Sequence, residues 1–170
     1  MPGSMTIPPS RRKRADPRPD ALDAMRAVIQ RVTTAAVRVD GAEIARIGPG
    51  LLVLLGVAVG DGTGEAAWMV RKLAEIRLFA DDAGKMNRSL SEIGGSVLLV
   101  SQFTLFGDVE KGRRPSFSGA APPELAAPLV DQVANGLRER GLAVGTGRFG
   151  AMMDVELTNA GPVTLILDTP

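Results

Sequence analysis

The chain has 170 residues, 45% of them hydrophobic, with 20 basic and 19 acidic side chains, the profile of an ordinary soluble globular domain. It contains no cysteine and no histidine. Disulfides, thiolate zinc sites, cysteine nucleophiles, Ser-His-Asp triads and HExxH metal sites are therefore excluded, and any proton transfer must run without imidazole.

Residues 1–24 read as a disordered Pro- and Arg-rich extension. Five prolines accompany Arg11, Arg12, Lys13, Arg14 and Arg18, with few large apolar residues to offset the entropy of ordering. Asp16, Asp20 and Asp23 fall in the same stretch, so the rest of the chain is close to neutral and is not a strongly cationic nucleic-acid binder in bulk. No apolar stretch of ~7–15 residues follows the basic run, as a secretory signal requires, and no window reaches the ~18 apolar residues of a membrane span. A cytoplasmic protein with no membrane partner is expected, with one domain over residues 25–170.

Met25 to Val32 reads as a strand, and Ala35 to Val39 continues extended into an Asp40-Gly41 hairpin signal with Glu43 to Ile47 as partner. After Gly48-Pro49-Gly50, the run Leu51 to Val59 is apolar except for Gly56, the pattern of a central strand buried on both faces. Glu65 to Leu78 has helical apolar spacing through Trp68, Val70, Leu73, Ile76 and Leu78. Asp81 to Gly95 reads as a loop, Ser96 to Val100 as a short buried strand, and Gly107 to Gly119 as a polar loop. Pro122 to Arg140 is a second helix, with Pro128 placed to kink it or delay its start, and Gly141 as its stop. Val144 to Phe149, Met152 to Thr158 and Val163 to Leu167 read as strands, the last two separated by a turn at Asn159-Ala160-Gly161-Pro162. The order is not a strict βαβ alternation. It predicts an α+β fold: a mixed, strongly curved, barrel-like sheet with two main helices.

Three constellations carry candidate chemistry. Ser101-Gln102-Phe103-Thr104 stands where a buried strand stops, a place where sites form. It offers a hydroxyl nucleophile or main-chain donors for an oxyanion, or it is only a polar cap on a strand end. Asn159 to Thr164 contains Gly161-Pro162, a bond able to be cis or an ordinary turn. Gly112-Arg113-Arg114-Pro115-Ser116-Phe117, with Lys85 and Arg88 in the earlier loop, suits phosphate contact or base stacking, or is a solvated loop. The acidic pairs Asp81-Asp82 and Asp154/Glu156 lack metal-loop spacing, and Gly60 to Gly64 is neither a Walker A loop nor a dinucleotide fingerprint. No metal and no cofactor is predicted.

Read together, Ala27-Val28-Ile29-Gln30-Arg31-Val32, Gly50 to Val57, Gly84-Lys85-Met86-Asn87, Ser101 to Leu105, Arg114 to Phe117, Gly147 to Ala151 and Asn159 to Thr164 resemble, in order and spacing, the bacterial D-aminoacyl-tRNA deacylases. The resemblance spans Met25 to Leu167, and the paired Ser-Gln-x-Thr and Asn-x-Gly-Pro-x-Thr motifs are its specific part. It implies hydrolysis of the ester between a D-amino acid, or mischarged glycine, and the terminal ribose of tRNA. It implies a homodimer with sites at the interface. Gly161-Pro162, with a cis proline, would enter the other subunit's pocket and refuse L side chains with main chain. Arg31 matches the residue that holds this turn. Main-chain groups around Phe103, within Ser101, Gln102, Phe103 and Thr104, form the opposite wall. Phe149 and Met153 match positions around the terminal adenine. Lys85, Arg113 and Arg114 are phosphate candidates from charge alone. The resemblance also implies assistance by the ribose 2′-hydroxyl, which fits a chain without histidine, although Thr104 as nucleophile stays open. Two alternatives are a small-ester hydrolase using Thr104 and a non-enzymatic module that grips tRNA ends.

Overall fold

The computed structural model describes residues 23–170. Of the predicted extension only Asp23 and Ala24 fall within that range; the remainder lies outside the described residues. The elements run β1 (Arg26–Val39), β2 (Ala42–Ile47), β3 (Gly50–Gly56), α1 (Thr63–Glu75), β4 (Arg77–Ala80), β5 (Met86–Ser89), α2 (Leu90–Ile93), β6 (Ser96–Ser101), a 3-10 turn (Phe103–Phe106), α3 (Pro123–Glu139), β7 (Ala143–Thr146) and β8 (Asp154–Asp168).

The α+β class and curved sheet are as the sequence predicts. The main sheet has the order β2-β1-β3-β6-β7, with β8 on the other edge of β1 and β4-β5 as a separate hairpin. β3 and β6 are parallel, the β1 pairings antiparallel. The sheet nearly closes, because β7 reaches β2: a Cβ on Gly145 would sit 3.2 Å from the Ala45 Cβ. Side chains of β3 and β6 alternate between two cores. Leu51, Val53, Leu55, Val97 and Leu99 face α1 and α3, while Leu52, Leu98 and Val100 fill the barrel with Val32, Ala35 and Val37. Leu51–Leu55 in β3 and Val97–Val100 in β6 are therefore apolar on every side chain. In β1 an extra residue between Val32 and Thr34 flips the alternation, which lets Ala35 and Val37 join Val32 in the same core. The α1 and α3 helices approach closely at Gly136, where a Cβ would lie 2.8 Å from a Val70 methyl.

Five predictions need correction. The first strand is one 14-residue ladder rather than two segments, because β8 pairs with it almost throughout. The α1 helix ends at Glu75, and the predicted loop Asp81–Gly95 contains β5 and the single-turn helix α2, so the described residues hold a short third helix besides the two main ones. β5 pairs with β4, and α2 is closed by a Ser89/Glu92 capping box and by Gly94 at φ +62°. The α3 helix begins at Pro123 and runs through Pro128, so the start is not delayed. Pro128 is exposed and only deprives the Glu124 carbonyl of its helical partner. Finally, Asn159–Pro162 does not reverse the chain. Strand β8 continues through it, with the six residues Asn159–Thr164 lying opposite the three residues Gln30–Val32 of β1. The excess bulges outward at Gly161-Pro162.

Candidate active site

The parallel strands β3 and β6 end together, at Gly56 and Ser101. There the Gln102 N–H donates to the Leu55 carbonyl at 2.8 Å, and the chain folds into the 3-10 turn Phe103–Phe106. Phe106 is fully buried and anchors that turn, a contribution of about 1.5–3 kcal/mol. Gly56 is required beneath it: a Cβ there would lie 2.7 Å from the Phe106 ring and 3.1 Å from the Gln102 carbonyl oxygen. The alternation of β6 buries Val100 and half-exposes Ser101, after which the turn carries Phe103 and Thr104 to the surface.

These residues line a cleft of about 660 Å³. Ser101, Gln102, Phe103 and Thr104 form one wall; Phe149 to Met153, entering from the segment between β7 and β8, form another. Val57, Ala126 and Val130 are part of its apolar lining. The six predicted residues Ser101, Gln102, Phe103, Thr104, Phe149 and Met153 thus share one site. Among the described residues no ionisable side chain lines it. The Thr104 hydroxyl accepts a hydrogen bond from the Gln102 amide, and no carboxylate or lysine bonds to it among the described residues.

Arg31, Gly161 and Pro162 form a second group, away from this cleft. The Gly161-Pro162 bond is cis, Gly161 has φ +136°, and both residues are exposed. Arg31 is half-buried behind them. Its Nε–H donates to the Ala160 carbonyl at 2.9 Å and its Nη1–H to the Leu78 carbonyl at 2.6 Å, tying the bulge of β8 to β4. Asn159 completes the bulge: its Oδ1 accepts from the Val163 N–H at 2.8 Å and its Nδ2 donates to the Thr164 hydroxyl at 2.9 Å. Neither Gly161 nor Pro162 lines the cleft of its own chain.

The basic candidates divide likewise. Lys111, Arg113 and Arg114 are exposed on a hairpin closed by Asp108 and Ser116, next to Phe117 in the cleft wall. Lys85 is exposed on the β4–β5 turn, where its N–H donates to Asp81. Among the described residues no ion pair involves Lys85, Lys111, Arg113 or Arg114. The acidic pairs serve structure. Asp81 accepts from the Lys85 and Ala83 N–H groups, which hold its carboxyl below the usual range; Asp82 pairs with Arg88 and Glu156 with Arg38. Sequence reasoning misses Met152, which is 90% exposed at the cleft, and the α3 residues Ala126 and Val130. Their spacing says only that Ala126 and Val130 belong to a helix face and Met152 to the start of a strand. Phe117, the aromatic residue of the basic loop, lies against Phe103.

The model of the family described as D-Tyr-tRNA(Tyr) deacylase matches residues 28–168. The chain belongs to the D-aminoacyl-tRNA deacylase family. It is accordingly an enzyme, an ester hydrolase. It is 62% identical over 145 residues to a D-aminoacyl-tRNA deacylase of Roseiflexus castenholzii, covering 85% of this chain and 92% of that one. A D-aminoacyl-tRNA deacylase of Anaeromyxobacter dehalogenans is 59% identical, with 85% and 97% covered. Among solved structures, a c-Myc DNA unwinding element binding protein superposes with a TM-score of 0.79 at 42% identity, over 85% of this chain and 99% of that chain. A probable eukaryotic D-amino acid tRNA deacylase shares the fold, with a TM-score of 0.75 at 20% identity, over 86% and 100% of the two chains. The family's matched segment contains both residue groups described above, the cleft and the Arg31-held bulge.

Proposed function

We propose that this enzyme hydrolyses the ester joining a D-amino acid, or mischarged glycine, to the terminal ribose of tRNA, and that it does so in the cytoplasm as a homodimer. The observation that carries the reading is the cleft itself: it belongs to a deacylase-family chain and, among the described residues, no ionisable side chain lines it. Chemistry there needs its proton acceptor from elsewhere. The ribose 2′-hydroxyl, adjacent to the scissile ester, is a donor and acceptor the substrate brings with it. The protein's part is to position the ester and stabilise the oxyanion with main-chain N–H groups around Phe103. Phe149 and Met153 pack the terminal adenine.

Selection against L-amino acids rests with Gly161-Pro162. In the dimer this exposed bulge of one subunit enters the other's cleft, and its main chain occupies the space an L side chain needs. Glycine, with no side chain, passes. Two features support a second copy here. The bulge is rigidly held yet stands outside its own cleft, and Leu165 and Ile166 beside it on β8 are exposed apolar residues. Lys85, Arg113 and Arg114 contact tRNA phosphates.

The test compares hydrolysis of D-tyrosyl-, L-tyrosyl- and glycyl-tRNA by the purified chain. Loss of the D and glycyl esters only is expected. Cleavage of both tyrosyl esters would refute the main-chain gate, and cleavage of none would refute the activity. D-tyrosyl-tRNA ending in 2′-deoxyadenosine should be hydrolysed poorly; equal rates would refute assistance by the 2′-hydroxyl.

A further inference from the structure

We propose that Phe117 is a positioning residue for the ester-binding turn, acting through the ring of Phe103. The inference rests on the reading that main chain around Phe103 holds the ester. Phe103 follows the end of β6 with its residue 58% exposed, so burial beneath it does little to fix its place. Its ring meets that of Phe117 edge to face, with centroids 5.1 Å apart and planes at 74°. This is the geometry in which the electropositive edge of one ring meets the electron-rich face of the other.

Phe117 is mounted on a different part of the fold. The Ala120 N–H donates to the Phe117 carbonyl at 3.0 Å, the Val59 N–H to the Gly119 carbonyl at 3.0 Å, and the Ala121 N–H to the Val57 carbonyl at 2.9 Å. Residues 117–121 are thereby laced to the chain leaving β3. Gly107, which follows the turn, leaves room for the ring: a Cβ built there would be 3.2 Å from Phe117 Cε1 and 3.1 Å from the Thr104 carbonyl oxygen. The ring therefore packs on the side chain at the start of the turn and stands near the glycine that follows its end. The reciprocal bonds between Asp108 and Ser116, at 2.7 and 2.9 Å, close the Lys111–Arg114 hairpin immediately before it. Phe117 joins the base of that hairpin to the turn.

The experiment measures kcat and KM of Phe117→Leu and Phe117→Tyr on D-tyrosyl-tRNA and on 3′-O-D-tyrosyl-adenosine, which lacks the phosphates. Melting temperatures are recorded alongside. Leucine keeps apolar bulk and removes the ring; tyrosine keeps the ring. Phe117→Leu should lower kcat about ten-fold on both substrates, the scale of one edge-to-face contact, with KM for the adenosine ester within about two-fold. Phe117→Tyr should restore kcat. In a cycle with Phe103→Leu, the second substitution should add almost nothing to the first. Wild-type kcat in Phe117→Leu, or full additivity with Phe103→Leu, overturns the proposal while leaving the deacylase reading intact. A loss of kcat in both Phe117 variants that tracks a fall in melting temperature also overturns it. A wild-type enzyme inactive on both esters overturns the functional reading, and this inference with it.

Discussion

Replacing Arg31 with alanine removes two hydrogen bonds from a charged donor, one to the Ala160 carbonyl at the Gly161-Pro162 bulge and one to the Leu78 carbonyl in β4. A hydrogen bond to a charged group contributes about 1.5–3 kcal/mol when both partners are buried. Arg31 is half-buried, so water recovers part of each, leaving about 1–1.5 kcal/mol apiece and about 2–3 kcal/mol together. For a domain of this size that loss lowers the melting temperature by about 5–10 °C. The functional effect should exceed the stability effect, because one of the two bonds holds the carbonyl immediately before Gly161. With the bulge free to shift by a fraction of an ångström, the D-to-L ratio of tyrosyl-tRNA hydrolysis should fall at least ten-fold, about 1.4 kcal/mol of discrimination. The assay is single-turnover deacylation of both esters well below the melting point, beside thermal unfolding. Arg31→Lys should behave as Arg31→Ala, since one ammonium cannot reproduce the guanidinium's two-pronged geometry. An unchanged D-to-L ratio in Arg31→Ala, with the melting temperature lowered as expected, would refute the claim that this side chain sets the gate.

Gly161→Ala places a Cβ 2.8 Å from a Val163 methyl and 3.0 Å from Arg31 Nη2, at φ +136°. About 1–3 kcal/mol of backbone strain should lower stability, with at least a ten-fold fall in D-to-L ratio; unchanged chirality would count against the bulge as gate. Thr104→Ala should keep activity within about ten-fold on D-tyrosyl-tRNA, and a loss of several hundred-fold would make Thr104 the nucleophile. Glu92 accepts from the Ser89 N–H, which holds its carboxyl below the usual range. A depressed folded value means the contribution is present above the unfolded pKa and disappears as pH falls through the folded one, so the acid limb of stability should be shallower in Glu92→Gln than in wild type. Parallel acid limbs in urea titrations from pH 6 to pH 3 would refute this.

The parts of the fold that sequence alone reveals are those whose burial is written locally. The run Leu51–Leu55 and the run Val97–Val100 are apolar on every residue because each strand faces two cores, and no partner need be known to see it. The Ser-Gln-Phe-Thr turn is visible because polarity begins abruptly where β6 ends. What stays hidden depends on a distant partner. Ile76 and Leu78 continue the apolar spacing of α1, yet the helix stops at Glu75 because residues 77–80 pair with β5 and Leu78 offers its carbonyl to Arg31. Asn159-Ala160-Gly161-Pro162 has every local mark of a chain reversal. It is instead a bulge, because β1 lies alongside the residues on both sides of it and keeps them in one strand. The site divides in the same way. Its cleft is legible from motif residues, while the separation of Gly161-Pro162 from that cleft is a fact of three-dimensional placement.

On the proposed reading, in which main-chain groups hold the ester, the weak points of the site lie behind the reacting atoms. In a histidine triad, one side chain removed at the centre abolishes the proton transfer. Here no ionisable side chain among the described residues lines the cleft, so no single lining residue should be indispensable for its functional group alone. The residues that matter are those that fix where carbonyls and N–H groups stand. Asn159 holds the bulge by accepting the Val163 N–H and bonding Thr164. Gly56 leaves the space into which Phe106 and the Gln102 carbonyl fit. Such positions look structural by composition, since a glycine under a phenylalanine or an asparagine within a strand has no acid–base chemistry to offer. Substitution scans of this enzyme should therefore find kcat effects concentrated at Gly56, Asn159 and Arg31 rather than at the hydroxyls of Ser101 and Thr104. The reason is geometric: preorganised main-chain dipoles stabilise a developing charge only while their carriers do not move.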